Sequence, residues 1–180
     1  MTTEQFWIII EEAWQNSENA TQAYFALKTI LSKTNTAELV SFAKHFSKYE
    51  IQLLTPEHLS AAFLLCEGWL SEGEFQAYAW SVVAVPRKVF EDVVRNPDSI
   101  LIHKEFNHMP GGELQPFGTV VFQVAEERKE TLPDFKVERV FNLKSIQFGG
   151  KSGKNILDQV SCAVLTPKIY EKLSENVEWD

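Results

Sequence analysis

Four side chains suited to hold a metal fall within eleven residues: His103, Glu105, His108 and Glu113. Imidazole and carboxylate ligate zinc and iron, and a loop can converge them. Their spacing matches neither the HExxH helix nor the Glu-x-x-His pattern of a di-iron bundle. A polar loop ahead of the Pro110-Gly111-Gly112 turn accounts for the same residues. They form a weak candidate ligand loop, and no metal is assigned to them. A second stretch, Gly149-Gly150-Lys151-Ser152-Gly153-Lys154, invites comparison with loops whose backbone N–H groups cradle phosphate. The glycine which that motif needs five positions before Gly153 is Phe148, and Asn155 stands where Ser or Thr would hold magnesium. A basic hairpin turn is the better reading, so no nucleotide or other cofactor is expected. No Gly-x-Ser-x-Gly elbow occurs, and no catalytic residue is assigned.

The acids divide by position. Glu11 and Glu12, and Glu91 with Asp92, read as solvated helix faces. Glu67 is less ordinary: it ends an apolar helix beside Gly68, a residue that can admit a ligand or another backbone. Glu72 and Glu74 open the next helix, where acids suit the helix dipole. Trp80 lies two positions off the apolar stripe of Phe75 and Tyr78 and is expected to be partly exposed, as are Trp7 and Trp179. Glu67, Glu72, Glu74 and Trp80 make up the candidate interaction surface.

These residues must be positioned by helices. Residues 59–99 are the expected centre of the core: short helices there carry Phe63, Trp69, Phe75, Tyr78, Trp80 and Phe90, and each large ring can bury about 150–250 Å². Before them, the three-to-four spacing of apolar residues predicts helices over 3–15 and 20–32, then a long one from Asn35 to about Leu54. Thr2 with Gln5, Asn35 with Glu38, and Ser71 with Glu74 have capping-box spacing. Thr55-Pro56 starts a helix expected to reach Leu70, with Cys66 on its inner face, and Pro86 starts another that Asn96-Pro97 stops. Beyond Ser99 the pattern weakens. Residues 103–115 read as a loop, 119–131 as a helix, 137–148 as a strand or small hairpin, and 155–165 as either helix or strand. Pro167 opens a last short helix.

Composition narrows the class. The 180 residues carry 17 Lys and Arg against 25 Asp and Glu, a net charge of −8. Such a chain repels phosphate backbones, which argues against nucleic acid as a partner and suits a basic one. Cys66 and Cys162 show neither zinc spacing nor a disulfide scaffold. The N-terminus lacks the basic start of a signal peptide, and no apolar run reaches the roughly 18 residues that span a bilayer. A cytoplasmic protein with no membrane contact is expected.

Several segments together resemble a known family. They are Phe6-Trp7 with Ile10-Glu11-Glu12-Ala13, Phe42 with Phe46, Gly68 with Ser71-Glu72-Gly73-Glu74-Phe75, then Tyr78 and Trp80, and Val89-Phe90-Glu91 with Asn96-Pro97-Asp98-Ser99. The pattern is similar to the bacterial domain of unknown function 4240 family over residues 4–102, with a weaker echo at 166–173. The resemblance implies a mainly helical bacterial cytosolic protein and no particular reaction. Two departures stand out. Val85-Pro86-Arg87 replaces the family's glycine and basic residue, and Gly73 splits its paired acids. If those positions carry a ligand in the family, this member lacks it.

The expected fold is mainly α: a compact multi-helix, bundle-like single domain over 1–180. Residues 1–99 form its helical unit, and 100–180 form a less regular extension packed on it. The expected function is non-catalytic binding of another protein, an accessory or immunity-like role. The alternative is a small-ligand binder or enzyme with its site between the helical unit and the C-terminal segment. A homodimer joined through Trp7 and Trp80 is a third reading.

Overall fold

Most helices here begin with a local side-chain cap. In the computed structural model, which describes residues 1–68, 70–106, 115–132 and 159–177, α1 (Thr3–Gln15) opens on a full capping box. The Gln5 N–H donates to the Thr2 hydroxyl at 3.2 Å, and the Thr2 N–H donates to the Gln5 side chain at 2.7 Å. Capping boxes also open α3 (Thr36–Glu50) and α5 (Glu72–Val83), from Asn35 and Ser71. Asn19 caps α2 (Ala20–Leu31), and Thr55 ahead of Pro56 caps α4 (Pro56–Leu65). Each such cap contributes about 1 kcal/mol. Pro86 precedes α6 (Arg87–Arg95), and Asn96, held extended before Pro97, ends it.

The remaining described elements are α7 (Val120–Glu127), α8 (Gln159–Leu165) and α9 (Pro167–Leu173), with short 3-10 turns between several helices. The protein is mainly α. Residues 119–131 are helical over most of their length, and the ambiguous 155–165 segment is helical from Gln159. The hairpin expected at 137–148, and most of the loop expected at 103–115, lie outside the described residues; within the latter, Lys104–Phe106 forms a 3-10 turn.

Residues 59–99 do hold the centre of the core. Every residue from 58 to 65 is buried, so α4 is enclosed on all sides. It packs against α5, α8 and α9. Phe63, Phe75, Tyr78 and Phe90 are buried with it, while Trp69 lies outside the described residues. A second aromatic group joins α1, α3 and α6. Phe6 stacks on Tyr49 with ring centres 5.3 Å apart, and Trp7 sits 4.7 Å from Tyr49 and 5.0 Å from Phe90.

Three sequence expectations are corrected. Trp7 is 2 % exposed, and its indole N–H donates to the Tyr49 hydroxyl at 3.0 Å. Since α1 packs on both α3 and α6, its buried face is wider than one stripe, and Trp7 cannot form a dimer contact. Second, α4 stops at Leu65 rather than Leu70. The Gly68 N–H returns to the Phe63 carbonyl at 2.9 Å and the Glu67 N–H to the Leu64 carbonyl at 3.1 Å, closing the helix in a Schellman motif. Glu67 and Gly68 both take the left-handed conformation, with φ of 55° and 84°. A Cβ on Gly68 would lie 2.6 Å from Val177 Cγ1, so this glycine admits the C-terminal segment. Third, Cys66 caps the end of α4 and is only partly buried.

That C-terminal segment is anchored at two further points. Asp98 accepts the first free N–H groups of α9, from Lys168 at 3.1 Å and Ile169 at 2.9 Å. The hydroxyls of Ser60 and Thr166 lie 2.7 Å apart in a buried pair.

Candidate functional site

The C-terminal end of α3 carries Glu50, which is 5 % exposed although it is a glutamate. Its position follows from register. Phe42, Phe46 and Glu50 lie four residues apart and share one face of α3, so the face that buries the phenylalanines also buries the acid. Gln76 and Trp80 of α5 stand across from it, and Phe117, Gly118 and Phe122 close the space from the 3-10 turn at Gln115–Thr119 and from α7. Together they line a cavity of about 410 Å³ that opens to solvent. That volume is within the range of small-molecule sites.

One carboxylate oxygen of Glu50, Oε1, is shut off from solvent and has no hydrogen-bond partner among the described residues. Burial pushes the carboxyl up to about 7; the Trp80 indole N–H and the Ser47 hydroxyl nearby pull the other way. A carboxyl taken out of water is expensive to ionise, and here that outweighs the two hydrogen bonds.

Trp80 is half-buried, and Gly118 explains how. A Cβ on Gly118 would come within 2.2 Å of the indole ring, so the backbone of the 3-10 turn lies against the ring face. Phe117 is buried beside it and meets Tyr24 of α2 edge-on at 5.7 Å.

The other candidate residues do not converge. Glu72 and Glu67 are exposed, and Glu74 is committed to capping α5 through Ser71. Of the candidate ligand loop, His103 lies 3.8 Å from Asp92, Glu105 borders an open groove with Lys104, and His108 and Glu113 lie outside the described residues. Among the described residues, no three His, Cys, Asp or Glu side chains gather where they could hold a metal ion. The Val85-Pro86-Arg87 segment is engaged in structural contacts. Val85 is fully buried, Pro86 precedes α6, and Arg87 pairs with Glu91 at 2.7 Å and with Glu4 of α1 at 3.2 Å.

A second buried polar pair sits deeper. His58 is 1 % exposed, and its Nδ1 lies 2.7 Å from the Tyr78 hydroxyl. Burial pulls the imidazole down to about 4 and raises the Tyr78 phenol well above its ordinary value. The pair is enclosed by core and borders none of the cavities described here, so it reads as a neutral structural hydrogen bond.

Sequence reasoning overlooked Glu50 and Gly118. The signal for Glu50 was present: an acid in register with Phe42 and Phe46 interrupts an apolar stripe. Nothing local marks Gly118, because its partner lies 38 positions earlier in the chain.

Fold and site define a mainly helical protein with an acid-bearing, aromatic-walled pocket. The chain belongs to the family described as Protein of unknown function (DUF4240), whose model matches residues 1–130. The match takes in every residue of the Glu50 cavity and ends before α8 and α9. No curated protein and no solved structure matches the chain. No helix among the described residues is long and apolar enough to cross a membrane.

Proposed function

We propose that this protein binds a small organic ligand in the cavity between α3, α5 and α7. Glu50 carries the reading. A nearly enclosed carboxyl with a free oxygen costs stability, and a structural role does not require it, since glutamine or an apolar residue would fill the same place. The cavity lies between the helical unit and the segment after residue 100, though its lining differs from the loops the sequence suggested. The test is a thermal-shift screen of the full chain against fragments of mixed charge. A ligand that binds only the folded state must raise Tm. Hits should lose their effect in Gln76→Trp, which places an indole in the cavity. Flat curves across the panel, or hits indifferent to Gln76→Trp, would overturn the reading.

A second reading, capture of another protein, has its own observation. Glu11, Glu12 and Glu105 line an open groove of about 590 Å³ beside Ile8, which is 51 % exposed. Acids around an exposed apolar side chain suit a basic segment of a partner. The exposed Glu67 and Glu72 offer a second acidic face at the turn between α4 and α5. In either reading the protein is an accessory module of the bacterial cytoplasm, with no reaction assigned. Capture from lysate by the wild type, lost in Glu11→Lys/Glu12→Lys or in Glu72→Lys, tells the two faces apart.

A further inference from the structure

We propose that the Glu50 cavity takes a small organic amine, its ammonium on the Glu50 carboxylate and its apolar body against Trp80 and Phe46. This rests on the ligand-binding reading above and names the ligand class.

The charge pattern of the lining leads to this class. Ser47 comes from the same helix as Glu50. Gln76 and Trp80 come from α5, Gly118 and Thr119 from the 3-10 turn, and Val121 and Phe122 from α7. None of these ionises in the ordinary pH range, so among the described residues Glu50 is the sole titratable group of the lining and no described cation there balances it. An enclosed carboxylate with one oxygen unpaired and no counter-charge is costly. Oε1 is covered in this conformation, but the last torsion of a glutamate is broad and nearly two-fold, so its rotation exchanges the two oxygens and lets an arriving ammonium supply the missing charge.

Other ligand classes fit less well. An anion would meet a like charge. A neutral donor could bond Glu50, but it brings no charge to offset the enclosed carboxylate, whereas an ammonium brings both the charge and a charge-assisted hydrogen bond. The aromatic walls favour an apolar body on the amine.

Binding should therefore be linked to ionisation of Glu50. Because burial holds this carboxyl at about 7, the amine must displace a proton below neutrality. Its affinity should fall about tenfold for a unit drop in pH well below that value.

The experiment is isothermal titration calorimetry on the full chain with 2-phenylethylamine as the probe. The controls are 2-phenylethanol (neutral) and 3-phenylpropanoate (anionic). The amine should bind at least tenfold more tightly than the alcohol, with the propanoate weakest. In Glu50→Gln the amine's advantage should vanish while the alcohol still binds. Equal binding of the three probes, or an amine affinity unchanged in Glu50→Gln, overturns the amine class and leaves the pocket reading standing. Silence from all three overturns the amine proposal, and the fragment screen then decides whether the cavity binds anything. If Glu50→Gln fails to fold, the wild type serves alone. Its amine affinity should fall between pH 8 and pH 5 while that of the alcohol does not, and parallel profiles would overturn the proposal.

Discussion

The carboxylate of Asp98 sits on the N-terminus of α9, accepting the Ile169 N–H at 2.9 Å from a residue 71 positions later in the chain. Lys168 donates to the other oxygen. Thr166, which precedes the helix, makes no side-chain cap of its own. A distant aspartate does the work that Ser71 and Asn35 do locally elsewhere. Asp98 lies inside the family match and α9 outside it.

Replacing Asp98 with alanine should thus detach α9 as well as destabilise the protein. Loss of a cap, plus the buried Ile169 N–H and the part-buried Lys168 N–H left without that partner, should cost about 1–3 kcal/mol. Urea denaturation measures it. Amide exchange should accelerate in α9 first. Uniform acceleration across all helices would argue that Asp98 serves the core and not this junction.

Glu50 and His58 make opposing pH contributions. The folded-state carboxyl of Glu50 stands near 7, above its ordinary 4.5. The contribution from its raised value is therefore complete below pH 4.5 and is lost as pH rises towards 7, a total of about 3 kcal/mol at 1.36 kcal/mol per unit. His58 is depressed from 6.5 to about 4. Its contribution is present above pH 6.5 and fades as pH falls towards 4. Between pH 4.5 and 6.5 the two nearly cancel. In Glu50→Gln only the His58 slope remains, so the variant should gain stability on the wild type progressively from pH 5 to pH 8. Denaturation curves at a series of pH values check this, and a difference independent of pH would refute it.

Gly118→Ala should be disruptive despite its small size. The new methyl would collide with the Trp80 ring at 2.2 Å, and either the ring or the turn must move. Overpacking of this kind costs about 1–3 kcal/mol. Tryptophan emission should shift and the cavity should change shape. An unchanged melting temperature and spectrum would show that the turn can retreat freely.

The two thiols should be poorly reactive in the folded chain. Burial, with Glu74 and Glu67 adding to it, pushes Cys66 up to about 11, and Cys162 is fully buried. Thiolate is the reactive form. A disulfide reagent at pH 8 should therefore label neither quickly, and both promptly in 6 M guanidinium, where burial is gone. Rapid labelling of one thiol in the native protein would contradict the packing at the end of α4.

Much of this architecture can be read without coordinates. The capping boxes at Thr2, Asn35 and Ser71 and the prolines at 56 and 167 all act within three or four residues, so the helices they start are legible from neighbours alone. The apolar stripes of α2, α3 and α6 follow from periodicity for the same reason. Burial of individual side chains is different in kind. Trp7 is covered because α3 and α6 both reach α1. Glu67 and Gly68 take left-handed turns where Val177 packs against the chain. Glu50 is a surface-type residue by composition, and it becomes a buried acid only because residues 117–122 fold back over α3 and α5. Local hydrogen bonds and periodicity determined which segments are helices. Contacts between residues tens of positions apart decided which acid lost its water, and with it where a ligand would be held.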